Sequence, residues 1–259
     1  MEAATSQRAE APHCDHLVQV YSRSVDLAEA AATFFATGLE AGEPLVAIAT
    51  AAHWPLIAER LARRGWQADE LEADGRLHVR DAELTLEALS DEAGPSATKF
   101  RDVVGGLLHE VARRDSSRRV RAFGEMVDVL VQRGEQAAAD VLERYWNELA
   151  AKRNFTLLCG YQVDRFDPAA QALLPQIYRS HARVLALPDD DRFAAAVQRA
   201  FVDVLGDSDA RNVYTRVSRN VGNAPESQLA LMWLNAHMPR TAAQVLARAR
   251  EHYAAAAAA

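Results

Sequence analysis

The run LVAIATAAHWPLIAERLARRG, residues 45–65, changes its hydrophobic period half-way along. LVAIAT (45–50) is apolar at nearly every position and too short for a buried helix, the signature of a strand covered on both faces. HWPLIAERLARRG (53–65) instead gathers Leu56, Ile57, Ala58 and Leu61 on one side of a helix and stops at Gly65. A strand that passes straight into an amphipathic helix is half of a crossover between parallel strands. The unit recurs on both sides. LVQVY (17–21), RLHVR (76–80), VRAFG (120–124) and FTLLCGY (155–161) read as further strands. A helix capped by Ser24 and stopped at Gly42, a long amphipathic helix over 96–114, and a helix over 135–153 supply covering faces. Asp167 followed by Pro168 starts another, leading to His181. The expected fold is α/β: a mostly parallel sheet flanked by helices.

After LALPDDD the strand signal ends, and the remaining pattern is helical, interrupted by the turn formers of GDSDARN and NVGNAPES. The chain therefore divides into a flexible tail over 1–16, an α/β domain over 17–187 and an all-α appendage over 188–259. Residues 189–251 hold eight acidic residues and eight arginines, so the appendage carries no basic stripe. Over all 259 residues the net charge is -7, which disfavours a phosphate backbone as partner and predicts no direct nucleic-acid binding. No stretch approaches the roughly 18 apolar residues of a membrane span, and the polar opening lacks a signal-peptide core. A cytoplasmic protein with no membrane contact is expected. Cys14 and Cys159 are too few for a disulfide framework and are read as free thiols.

A phosphate-binding α/β domain needs glycines and a lysine in the loop after an early strand, with Ser or Thr to hold magnesium. Here that loop is ATAAHWPL, with neither glycine nor lysine, and His53 and Trp54 stand where small and cationic groups are required. Glu125, just beyond the VRAFG strand, keeps a carboxylate where magnesium or water could be organised. Alone it cannot supply the charge stabilisation of phosphoryl transfer, so no enzymatic activity is expected.

The segments HLVQVYS, GLEAGEPLVAIATAAHW, GRLHVRDA, FGEMVDVLVQRGEQAAADVLERYWNELA, FTLLCGY and SHARV resemble the DcmR-type sensory family, called MEDS, over about residues 17–186. That resemblance implies a RecA-like sheet, descended from RecA/KaiC-type ATPases, with a degenerate phosphate loop and a role in sensing small, often hydrocarbon-derived, molecules. Members commonly carry signalling modules. This chain displays neither the glycine boxes of a kinase nor a basic recognition helix, so the implied output runs through a signalling partner or self-association of the C-terminal helices.

In open α/β sheets, ligands sit beyond the carboxyl ends of the strands, which groups His53 and Trp54 with Glu125, Met126, Asp128 and Tyr161. Each also has a plainer reading: a histidine at a helix start, carboxylates favoured at a helix N-terminus, or side chains filling the crevice. On the 135–153 helix, Glu143, Trp146 and Asn147 share a face, where Trp146 serves either core packing or the wall of a ligand pocket. Cys159, within an apolar strand, reads as a small buried hydrophobe or as a ligand contact. No metal site is expected, because HCDH (13–16) is a tight pair of ligand types beside a tail and no HxH or HxxxH pair occurs. His16 and His181 match only the opening and closing segments of the family, with His16 remote from the carboxyl edge and His181 placed to satisfy a helix end. The cofactor is unknown. Three readings stay open: a small-molecule sensor, an atypical nucleotide- or metal-dependent hydrolase, and a ligand-free interaction module.

Overall fold

A computed structural model describes residues 15–114, 118–218 and 224–256. The α/β region runs β1 (His16–Tyr21), α1 (Ser24–Glu40), β2 (Leu45–Ala49), α2 (Trp54–Arg63), α3 (Ala68–Ala73), β3 (Leu77–Asp81) and α4 (Ala82–Leu89). A two-residue hairpin, β4 (Ser90–Asp91) and β5 (Gly94–Pro95), precedes α5 (Ala97–Phe100) and α6 (Gly106–Arg114), which are joined by a π-turn at Arg101–Gly105. Then come β6 (Val120–Gly124), α7 (Met126–Gln132), α8 (Gln136–Ala150), β7 (Phe155–Gln162), α9 (Pro168–Ser180) and β8 (Arg183–Val184). Among the described residues, four helices follow: α10 (Asp190–Leu205), α11 (Asp207–Val217), α12 (Glu226–His237) and α13 (Pro239–Ala255).

Among the described residues, the main sheet has six strands in the order β3-β2-β6-β7-β1-β8, every adjacent pair parallel. Its central strands are buried on both faces, as their unbroken apolar runs require. On one face, Leu27, Phe35 and Leu39 of α1 and Ile57 and Leu61 of α2 pack on Leu45, Phe123 and Leu158. On the other, α4 to α9 cover Val18, Val46, Ala122, Leu157 and Cys159. Each fully buried Leu, Ile or Phe contributes about 1.5–3 kcal/mol, so these two layers dominate the stability. Gly160 lets α1 approach: a Cβ there would lie 2.7 Å from the Leu27 side chain.

The five expected strands are present, shifted by at most one residue at an end, and β1 begins at His16. Three local expectations change. Ser24 does not cap α1: Arg23 takes the cap position without a side-chain bond, and the Ser24 hydroxyl turns toward His53. The single helix over 96–114 carries the π-turn, and β8, two residues long, lacks a readable hydrophobic period. HCDH falls outside the described residues except for its last two positions.

The C-terminal helices enclose a core of their own, with Phe193, Val197, Phe201, Leu231, Leu234, Val245 and Leu246. They dock on the α/β region through α9, against which α12 and α13 pack. Gln228 Nε2 of α12 donates to Gln171 Oε1 of α9 at 2.6 Å, with both side chains buried, and Arg165 joins Asp189 and Asp190. No helix among the described residues is long and apolar enough to cross a membrane.

Candidate functional site

The sheet order places a crevice between β2 and β6, because the chain leaves β2 toward one edge of the sheet and leaves β6 toward the other. His53, at the start of α2, and Glu125, at the end of β6, meet there. His53 Nδ1 hydrogen-bonds Glu125 Oε1, and His53 Nε2 lies 3.0 Å from Ser24 Oγ. The other carboxylate oxygen of Glu125 accepts from the Thr50 backbone N–H at 2.8 Å. Its hydrogen bond with Glu125 raises the pKa of His53 against the opposing effect of burial. Alongside, Asp128 accepts from Tyr21 Oη (3.2 Å), Gln132 Nε2 (3.0 Å) and the Gln162 N–H (3.1 Å). Burial holds Asp128 above its ordinary range, and it also holds the Tyr21 hydroxyl well above its own. Each acid in this edge group already has donors.

A second polar group lies under α8 and α9, on the opposite face from α1. Here β1 supplies His16, α8 supplies Glu143 and Asn147, β7 supplies Cys159 and Tyr161, and the end of α9 supplies His181. His16, Glu143, Cys159 and His181 are all buried, and each offers a metal-ligand atom within 4.8 Å of the other three. His16 Nε2 is 3.3 Å from Cys159 Sγ and 3.8 Å from Glu143 Oε2, and His181 Nε2 is 3.6 Å from Glu143 Oε1. The outer ring nitrogens are committed elsewhere. His16 Nδ1–H donates to Asn147 Oδ1 at 3.0 Å, and His181 Nδ1–H donates to the Ile177 carbonyl at 2.6 Å. Those bonds fix both tautomers, leaving the two Nε2 lone pairs facing the cluster.

Tyr161 Oη donates to Glu143 Oε1, whereas Glu143 Oε2 is buried with no hydrogen-bond partner among the described residues. Burial raises Glu143 to about 7 and lowers His16 to about 4 and His181 to about 3. Each shift disfavours the charged form, as expected where polar groups leave water without a counter-ion. The cluster thus sets two imidazole nitrogens, a carboxyl group and a thiol side by side, with Tyr161 Oη donating to the carboxyl.

The nine candidate residues thus do not converge on one crevice. His53, Glu125 and Asp128 stay at the carboxyl edge. Tyr161 leaves it, because its side chain points to the α8 face and bonds Glu143. Asn147 and Cys159 belong to the same buried cluster. Met126 and Trp146 are core residues, 1% exposed, and Trp146 packs edge-on against Phe100 and beside Phe155. Trp54 is half-buried against the α1–α2 layer. A surface groove of about 800 Å³ between the β4–β5 hairpin and α8, lined in part by Leu86, Pro95, Arg133 and Tyr145, includes none of the nine.

Sequence spacing did not bring these four side chains together because they come from four separate elements, up to 165 positions apart (181 minus 16). The usable signal was the shared helical face of Glu143 and Asn147. The sequence profile of MEDS, the MEthanogen/methylotroph, DcmR Sensory domain, matches residues 15–182. The chain belongs to the MEDS family. No curated protein matches it. The MEDS match begins one residue before β1 and ends one residue after His181, so all four ligand-type residues lie within the sensory domain.

Proposed function

We propose that this protein is a small-molecule sensor in which the MEDS domain receives the signal beneath α8 and α9, and α9 passes it to the C-terminal helices. The observation that carries this reading is the double engagement of α9. Its C-terminal end sets His181 in the buried polar cluster, and its flank holds Gln171 against Gln228 of α12. A ligand that favours one placement of α9 therefore biases the docking of α12, which is the requirement for coupling two sites. Small organic ligands, hydrocarbon-derived ones among them, are the class suited to a few polar atoms converging among apolar side chains. The output is a signalling partner or a second copy of the chain, engaged through the C-terminal helices in the cytoplasm.

We read the sheet as a RecA/KaiC-type relative that has given up phosphate chemistry and is not an enzyme. In support, the Thr50 N–H opens the loop where a phosphate would sit, and it is already taken by the Glu125 carboxylate. An internal anion at that position repels an incoming one.

A broad metabolite library screened by thermal shift on the full chain tests the reading, since selective binding to the folded state must raise the apparent stability. Hydrogen exchange with any hit should then slow in α8, α9 and α12 together. Stabilisation without any change in α12 would remove the relay. No stabilisation across the library would shift the balance to a ligand-free interaction module, which the filling of space by Met126 and Trp146 favours.

A further inference from the structure

We infer that His16, Glu143, Cys159 and His181 form a binding site for a divalent transition-metal ion of zinc-like preference. As an account of the input site this rests on the sensory reading above, but metal binding is measured independently of it.

Two imidazole nitrogens, a thiol sulfur and a carboxylate are the ligand types that borderline ions such as zinc take up, with imidazole and thiolate excluding calcium and magnesium as natural occupants. The spacing fits. Zinc bonds of roughly 2.0–2.3 Å arranged tetrahedrally put neighbouring ligand atoms roughly 3.3–3.6 Å apart. His16 Nε2 lies 3.3 Å from Cys159 Sγ and 3.8 Å from Glu143 Oε2, His181 Nε2 lies 3.6 Å from the other carboxylate oxygen, Oε1, and one ligand atom from each residue falls within 4.8 Å of the rest, so an ion draws the wider pairs closer by up to about an ångström. Side-chain rotation about Cβ supplies that movement.

The surroundings are those of a ligand shell. Metal-bound histidines characteristically give their second N–H to a carbonyl or carboxylate, and both rings here do so, to Asn147 and to the Ile177 backbone. Tyr161 holds Glu143 Oε1, and Glu143 Oε2, 3.8 Å from His16 Nε2, is buried without a hydrogen-bond partner among the described residues. A hydrogen-bonded core built for stability alone would place a donor on that oxygen. A cation satisfies that oxygen and takes the imidazole nitrogens and the thiol sulfur as its other ligands. Because the four ligands come from β1, α8, β7 and the end of α9, the ion also fastens α9 to the sheet.

The full chain, freed of metal with a chelator and reduced under anaerobic conditions, is titrated with Co²⁺ and then Zn²⁺. The expected result is one equivalent of Co²⁺ with tetrahedral visible bands and a thiolate charge-transfer band, displaced by one equivalent of Zn²⁺. Cys159→Ser should abolish the charge-transfer band, and His181→Asn should weaken binding by more than the roughly 10–100-fold expected for the supporting Asn147→Ala. Cys14→Ser should leave the spectrum intact. Circular dichroism of each variant separates lost binding from lost fold. A folded wild-type chain that binds neither ion overturns the inference, as does binding that survives Cys159→Ser and His181→Asn unchanged. If an organic ligand stabilises the chain while neither ion binds, the metal site fails and the sensory reading stands. If the ion binds while hydrogen exchange in α12 is unmoved, the site stands and the relay fails.

Discussion

The two polar groups of this domain sit in one sheet and obey opposite rules. At the carboxyl edge, Glu125 and Asp128 each receive donors from neighbouring residues, and His53 is held between Glu125 and Ser24. Beneath α8 and α9, two imidazoles, a carboxyl group and a thiol converge, and among the described residues the buried Glu143 Oε2 has no hydrogen-bond partner. A balanced buried network rigidifies the fold, while an unbalanced one is costly unless something else completes it. Where α/β proteins ordinarily bind, the polar side chains thus hold one another, and the unmet demand lies in the buried cluster on one face.

The largest test of that contrast is Trp146→Ala. As a core residue packed on Phe100 and Phe155, it should cost about 3–5 kcal/mol in urea unfolding. If Trp146 instead walled an open crevice, the loss would fall on ligand binding and leave stability nearly unchanged. Next, Glu125→Gln should destabilise by roughly 2–3 kcal/mol, because the edge group loses a charge-assisted acceptor that serves Thr50 and His53. A neutral outcome would mean that the edge is no more balanced than the buried cluster. Tyr21→Phe should cost less, about 0.5–1.5 kcal/mol, since Asp128 retains Gln132 and the Gln162 N–H.

The smallest effect is pH-dependent. The folded-state pKa of His53 is raised, so the stability it adds is complete below its unfolded value near 6.5 and disappears as pH rises through the folded value. Urea midpoints of wild type and His53→Gln should differ by about 1 kcal/mol or less at about pH 6 and converge toward about pH 9. A gap that widens with pH would give the interaction the opposite sign.

Much of the fold was legible because its strands are buried on both faces: runs such as LVAIA and FTLLCGY have no other stable reading. β8 escaped because two residues carry no period, and the π-turn because the apolar spacing over 96–114 tolerates one extra residue. At the site, His53 and Glu125 could be paired in advance since both follow strands that end at one sheet edge. His16, Cys159 and His181 could not, because nothing local links a strand start, a strand middle and a helix end. Tyr161 was misassigned by a single alternation: as the last buried residue of β7 it lies near the carboxyl edge, yet its side chain faces α8.

The placement of β1 between β7 and β8 fixes an order of events during synthesis. Of the six strands in the main sheet, β1 leaves the ribosome first, and its partners β7 and β8 leave last, with His16 and Cys159 separated by 143 positions. Contacts so distant in sequence form late and set the pace of folding. The strands β2, β3 and β6 can assemble beforehand, but His16, Cys159 and His181 come together only when the two ends of the domain close on each other. The buried cluster is therefore a clasp, complete in finished molecules and absent from every nascent chain that has not yet reached residue 181.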